Sequence, residues 1–313
     1  MATLDEYGAD SVRLFLLSSP ATVAEEVRFS IEGVKESTRR VLLPLWNAYS
    51  FFATYASIDK WCPEKDLVES NNQLDKWIQL RLNELIKNID ESMNTYQIAK
   101  VAPSIIEFFD DLNNWYIRRS RRRFWESNKE AYSTLYKVLL QATQVLAPFA
   151  PFTAEYFFGK LALTKELKQI GSVHLSILPE HREISTEEQN LLKEVSISRR
   201  VVELGRTIRV THKLKNRQPL QKLTVGVLSK DMGAQILKHK DVICEELNVK
   251  DVAITFDPSE LAKILVKPNF KVLGKSLGDK IKELQSLLND LSQENAVKAL
   301  RKETIQIKDL YFY

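Results

Sequence analysis

Five arginines fall within six positions, Arg118, Arg119, Arg121, Arg122 and Arg123, with Trp115 before them and Trp125 after. A guanidinium is a planar fork of donors that keeps its charge, so it grips phosphates or carboxylates through paired hydrogen bonds and stacks on flat rings. Arginine forks beside aromatic planes therefore suit phosphates and unstacked bases. A solvated or internally ion-paired arginine face accounts for the same residues. At helical spacing Arg118 with Arg122 and Arg119 with Arg123 form two i,i+4 rows. A helical wheel puts Arg119 and Arg123 on the side of Phe108 and Leu112. Charge can continue that apolar stripe only with a carboxylate partner, or where the helix overhangs the core and faces something anionic.

A second cluster runs from Thr211 to Leu220. Lys213, Lys215 and Arg217 suit phosphates, whereas Asn216 and Gln218 can read base edges. Alone, this is an ordinary solvated loop; two basic–polar clusters in one chain favour RNA. The net charge is only +4, but Arg199, Arg200, Arg206, Arg209, Lys213, Lys215, Arg217 and Lys222 face a single acid, Glu203, between positions 199 and 222. A local positive field of that kind attracts polyanions. Folded RNA fits better than DNA, because no helix-turn-helix or zinc-finger pattern occurs.

Other chemistry is poorly served. His174, His181, His212 and His239 are scattered, with no HExxH pair. Asp110 and Asp111 are adjacent, so on a helix they diverge by about 100° and suit the nearby arginines better than acid–base work. Cys62 and Cys244 belong to no CxxC pair, which argues against a disulfide framework or structural zinc. Glycine numbers nine, too few and too dispersed for a phosphate-cradling loop. Gly274-Lys275-Ser276 ends like GxxxxGK[ST], but Asn269 stands where the first glycine is required. No catalytic residue and no metal ligand is assigned.

The elements that would carry these clusters follow from periodicity. Asp10 can cap a helix bearing Val12, Leu14 and Leu16, and Val27, Phe29 and Ile31 alternate like a short strand. A long helix begins at Val34, with Pro44 expected to kink it. Leu74, Trp77, Ile78, Leu82, Leu85, Ile86 and Ile89 mark an amphipathic helix of four turns. The arginine helix, a fourth helix from Tyr132 to Val145 and a short one from Thr153 to Leu163 complete an antiparallel bundle. After Lys165 the texture changes. Ser172 to Leu178 reads as strand, Ser185 to about Val210 as a basic helix, Leu223 to Leu228 as strand, Asp231 to Glu246 as helix and Val249 to Phe256 as strand. Helices at Gly278–Asn289 and Gln293–Lys302 and a strand from Thr304 follow. The fold class is mostly α: a helical bundle followed by a small α+β domain. The expected division is a connector at 1–32, the bundle at 33–165 and the α+β part at 166–313. Hydrophobic residues make up 44% of the chain, yet no run approaches a membrane span and no signal segment opens it, so a cytoplasmic or organellar-soluble location is expected, with cytoplasmic the reading adopted.

Taken in order, these segments resemble a family. Tyr7-Gly8-Ala9-Asp10-Ser11-Val12-Arg13 is similar to the YGADAxR stretch that follows the KMSKS loop of class I aminoacyl-tRNA synthetases. Val27 to Val34 resembles their next connector. Leu74-Asp75-Lys76-Trp77-Ile78, Asn114 to Trp125 and Leu146 to Glu155 resemble the helical anticodon-binding domain of the isoleucyl, valyl and leucyl group. Ser172-Val173-His174-Leu175, Lys215-Asn216-Arg217-Gln218-Pro219-Leu220, Glu246 to Lys250 and Phe270 to Lys275 resemble the isoleucyl branch. No HIGH or KMSKS motif is present, so the resemblance implies the C-terminal, tRNA-recognising part of an isoleucyl-tRNA synthetase, non-catalytic by itself. A valyl or leucyl parent and a free-standing synthetase-derived RNA-binding protein are the alternatives. The implied partners are the isoleucine tRNA and upstream catalytic and editing domains of the same polypeptide, with no membrane and no DNA. ATP and Mg would be cofactors of the full-length ligase and none of this chain. The implied tRNA-binding residues are Trp115, Arg119, Arg121, Arg122, Arg123, Lys213, Lys215, Arg217, Gln218 and Lys271. Arg122 and Arg123 are expected to face RNA more than Arg118 and Arg119, which suit ion pairs with Glu107, Asp110 or Asp111.

Overall fold

The computed structural model describes residues 2–261, 263, 285–288, 291–300, 305–307 and 310–312. They fall into two compact units, residues 1–192 and 193–313. Lys271, the Phe270–Lys275 motif, the phosphate-loop echo and most of the helix expected from Gly278 lie outside the described residues.

The first unit is a helical bundle. Its opening helices are α1 (Ala2–Tyr7), α2 (Ala9–Leu17) and α3 (Ile31–Ser37). Next come α4 (Leu43–Ile58), α5 (Pro63–Asp66), α6 (Gln73–Asn94), α7 (Val101–Asp110) and α8 (Arg118–Trp125). Then α9 (Lys129–Leu146), α10 (Pro151–Leu161) and α11 (Lys165–Ile170) close it. The periodic apolar residues of α6 are buried, and Asn72 caps its start by accepting from the Leu74 amide at 2.8 Å. Asn128 does the same for α9 through the Ala131 amide at 2.9 Å. The core is aromatic: Trp61 stacks on Tyr132 at 6.0 Å, and Phe124 meets the Tyr132 ring edge-on at 5.0 Å.

Three local expectations are corrected. Residues 25–30 form no strand; Ser30 caps α3 through the Gly33 amide, and Phe29 packs edge-on against Phe15 at 5.6 Å. The segment 172–178 holds a single 3-10 turn, Val173–Leu175, anchored where Glu155 accepts from the Ser172 hydroxyl and the Val173 amide, both at 2.9 Å. Asp10 sits inside α2 and caps a different helix. Its carboxylate accepts from the Thr153 amide of α10 at 2.6 Å, while Arg13 donates to the Pro148 carbonyl at 2.9 Å. The opening segment is thereby tied to the corner between α9 and α10.

Among the described residues two π-helical turns interrupt the long helices. One, Thr38–Leu42, ends two residues before Pro44, so the missing proline donor falls in the first turn of α4. The other, Asp111–Ile117, joins α7 to α8 and decides how the arginines face. In a straight helix Arg119 and Arg123 would lie about 20° and 60° from Phe108, against about 120° and 160° for Ser120 and Phe124. A π-turn holds about one residue more than an α-turn, which sets everything after it back by one position. Ser120 and Phe124 are accordingly buried, in the places the wheel assigned to Arg119 and Arg123.

The second unit holds most of α12 (Thr186–Thr211), then β1 (Leu223–Gly226), α13 (Lys230–Lys238), α14 (Lys240–Leu247) and β2 (Val252–Thr255). The strands pair in parallel, with Leu223 opposite Val252 and Gly226 opposite Thr255. A parallel pair needs a crossover, and α13 with α14 provide it. The single helix expected at 231–246 is thus two, meeting at His239. Further on are α15 (Gln293–Leu300) and an antiparallel pair, β3 (Ile305–Ile307) with β4 (Leu310–Phe312), where one strand was expected. Among the described residues no helix is long and apolar enough to cross a membrane.

Candidate nucleic-acid interface

The arginine helix divides its side chains between two jobs. Arg123 is structural. Its Nη1 and Nη2 each donate at 2.6 Å to the two oxygens of Asp75, a carboxylate on α6 that is 0% exposed. Asp75 also accepts from the Tyr116 hydroxyl at 2.8 Å and from Ser70 at 2.6 Å, so both of its oxygens are satisfied. Burial, with the charge and hydrogen bond of Asp75 adding to it, pushes the Tyr116 phenol well above its ordinary range. Burial also works against the Arg123 charge, but Asp75 more than offsets it and the guanidinium is held more basic than usual. The expectation that Arg123 faces RNA is corrected: the π-turn leaves it on the flank of the buried stripe, within reach of α6.

Trp115 is corrected too. It is 4% exposed, and the Arg119 guanidinium lies over its ring at 5.2 Å, so neither ring face is an open stacking surface. Arg118 donates through Nε to the Asn114 carbonyl at 2.8 Å. Of the three acids offered as partners for this run, Asp111 and Glu107 receive Arg81 of α6, at 2.5 and 2.7 Å, and Asp110 accepts from the Asn114 side-chain amide at 2.6 Å.

What α8 presents outward is Arg121, Arg122 and Trp125. Arg122 is exposed and makes an i,i+4 pair with Glu126 at 2.8 Å, the kind of contact an incoming phosphate can replace. Trp125 is 64% exposed, and its indole N–H donates to the Tyr55 hydroxyl at 2.9 Å. That bond fixes the ring while leaving a face open. Lying three and four residues after Arg122 and Arg121, it shares their side of the helix. A held indole flanked by two guanidiniums can stack an unpaired base and neutralise its phosphates. The sequence named Trp125 only as a bracket of the run; nothing in residue type distinguishes it from Trp115.

In the second unit, the loop after α12 keeps Lys213, Lys215, Arg217 and Gln218 exposed. Among the described residues none of the three cations has an ion-pair partner. Helix α12 ends in a Schellman motif, with Leu214 N–H on the Arg209 carbonyl at 2.8 Å and Lys213 N–H on the Val210 carbonyl at 3.0 Å. Lys213 takes the left-handed position, φ 54°, where glycine is usual.

Beneath the loop lies a residue that composition had grouped with the basic surface. Arg209 is 3% exposed. Its Nη1 donates to the carbonyls of Lys215 and Gln218 at 3.0 and 3.1 Å, and its Nη2 to those of Leu247 and Asn248 at 2.6 and 3.3 Å. The charge is thus met by carbonyl dipoles, among them the negative end of α14. Asn248, left-handed at φ 48°, ends α14 and turns its amide to the carbonyls of Asn216 and Arg217 at 3.2 and 3.0 Å. Both residues were legible in part. Arg209 continues the buried α12 stripe of Val195, Ser198, Val202 and Gly205, and an asparagine directly after a helical run is a C-terminal signal.

Residues 75–224 match the family model described as the anticodon-binding domain of tRNA ligase, spanning Asp75, the arginine helix and the basic loop. This chain carries an anticodon-binding domain of the tRNA ligases. It is 36% identical over 309 residues to the isoleucine–tRNA ligase of Protochlamydia amoebophila, covering 97% of this chain and 29% of that protein. The Chlamydia pneumoniae isoleucine–tRNA ligase is 41% identical over 307 residues, covering 96% and 29%. That of Chlamydia muridarum is 39% identical over 320 residues, covering 98% and 30%. The chain therefore spans under a third of the length of these relatives. Among solved structures, the Agrobacterium radiobacter K84 agnB2 LeuRS-tRNA-LeuAMS ternary complex is similar at 15% identity and a TM-score of 0.40, over 61% of this chain and 21% of that one.

Proposed function

We propose that this chain is the tRNA-recognising part of an isoleucine–tRNA ligase. In this reading residues 1–32 lead from an upstream catalytic fold, residues 33–165 grip the anticodon stem-loop, and residues 166–313 add a second tRNA-binding part. The longer polypeptide uses ATP and Mg to activate isoleucine and esterify the tRNA in the cytoplasm, and this chain supplies no catalytic group.

The observation that carries the reading is the outward set Arg121, Arg122 and Trp125 on α8, inside a matched anticodon-binding domain. Lys213, Lys215, Arg217 and Gln218 extend it, the cations toward phosphates and the glutamine toward a base edge. Lys271 remains assigned with them on the resemblance alone. The test is affinity, at one stated salt concentration, for isoleucine tRNA transcripts with intact and altered anticodons. Tighter binding of the intact anticodon supports the proposal, and equal affinity for every anticodon refutes it.

A further inference from the structure

Two side chains take up four consecutive carbonyls of the basic loop. Arg209 holds those of Lys215 and Gln218, and Asn248 holds those of Asn216 and Arg217. Carbonyl oxygens carry partial negative charge and would repel a phosphate that approached them. Here they are turned onto a buried guanidinium and an amide, while Lys213, Lys215, Arg217 and Gln218 stand outward. We propose that Arg209 and Asn248 are positioning residues for RNA recognition, holding the 213–218 loop in its binding shape before RNA arrives. The inference rests on the reading of that loop as tRNA-binding.

The docking of α14 against α12 has its own supports, which separates the clip from general stability. Arg206 pairs with Glu246 at 2.6 Å. Gly205 lets Leu247 sit where a Cβ would come within 2.4 Å of its Cδ1. The helix end at Asn248 is closed by Val249 N–H on the Cys244 carbonyl at 3.0 Å, a backbone bond that needs no side chain. Glycine tolerates the left-handed position at least as well as asparagine. Asn248→Gly therefore removes the two loop contacts and keeps the cap.

The experiment compares the whole chain with Asn248→Gly, Arg209→Lys and the loop variant Lys213→Ala/Lys215→Ala/Arg217→Ala, using an isoleucine tRNA transcript across a range of salt concentrations. Ordering even one or two loop residues on binding is worth about a tenfold loss of affinity. Asn248→Gly is expected to melt like the parent and bind about tenfold or more weakly. Its slope of log affinity against log salt should be unchanged, because every phosphate contact can still form. Faster amide exchange at residues 216–218 should accompany this. Arg209→Lys should weaken binding as well, since an ammonium lacks the planar fork that spans these carbonyls. If that variant fails to fold, Asn248→Gly decides alone. Parental affinity in Asn248→Gly, with weakened binding and a shallower slope in the loop variant, overturns the positioning role and leaves the loop reading standing. Parental affinity in the loop variant removes both.

Discussion

Arg122 and Arg123 are neighbours in sequence, and the structure gives them opposite consequences on removal. Arg123→Ala strips a buried carboxylate of its charged partner. Asp75 keeps only the neutral donors Tyr116 and Ser70, which cannot balance a full charge away from water. Breaking a buried pair from one side destabilises by about 3–5 kcal/mol. Arg122→Ala loses only an exposed i,i+4 pair with Glu126, which solvent screens. The predicted contrast is therefore a large loss against one close to zero. Urea denaturation of the whole chain, followed by far-UV circular dichroism, measures it. At about 2–4 °C per kcal/mol for a unit of this size, Arg123→Ala should lower the thermal midpoint by roughly 6–20 °C, and Arg122→Ala should leave it nearly unchanged. Replacing both partners and the buried hydroxyl that leans on them, Asp75→Leu with Arg123→Met and Tyr116→Phe, should recover much of the loss. Equal, small effects of Arg122→Ala and Arg123→Ala would refute the argument, as would a combined replacement no better than Arg123→Ala alone.

The two tryptophans should separate in the same way. Trp125→Ala is expected to leave the melting curve within about 1 kcal/mol of the parent while weakening tRNA binding by about 1–3 kcal/mol, the worth of one stacked base. Trp115→Ala should destabilise the fold by about 3–5 kcal/mol, both measured by denaturation and fluorescence anisotropy. Lys213→Gly relieves a left-handed lysine and deletes one cation, so stability should hold or rise while the salt slope of tRNA binding falls by about one unit. The start of α12 should respond to acid. Hydrogen bonds from Arg182, and then from the Ser185 amide, lower the Glu188 carboxyl to about 2. A depressed folded-state pKa adds stability that is complete above about 4.5 and lost as pH falls toward about 2. Amide protection at the first turn of α12, taken relative to the intrinsic exchange rate at each pH, should fall across that window in the parent, and Glu188→Gln should remove that fall.

How far the sequence reached depended on whether the deciding contact was local. Helices α6 and α9 were legible because their apolar spacing is written within a few residues, whereas their asparagine caps, Asn72 and Asn128, went unread and the start of α9 was placed three residues late. The arginine run was legible as a problem, charge on an apolar stripe, but not as a solution. A π-turn leaves no mark in residue type, and it alone moves Ser120 and Phe124 inward. Asp10 looked like a local cap because its true partner, the Thr153 amide, lies 143 positions away. Alternation at 27–31 and 172–178 suggested strands, yet a strand needs a neighbour to pair with, and none is recorded for these segments among the described residues. Arg209 was counted as surface charge because composition cannot distinguish an arginine facing solvent from one facing carbonyls.

Ultraviolet cross-linking of the chain to an isoleucine tRNA transcript, with the joined peptides and nucleotides mapped by mass spectrometry, tests the central claim most directly. Anticodon-loop nucleotides should be joined to the peptide bearing Trp125 and to the peptide covering residues 213–218. Cross-links confined to other faces, or made only by nucleotides outside the anticodon arm, would contradict the account.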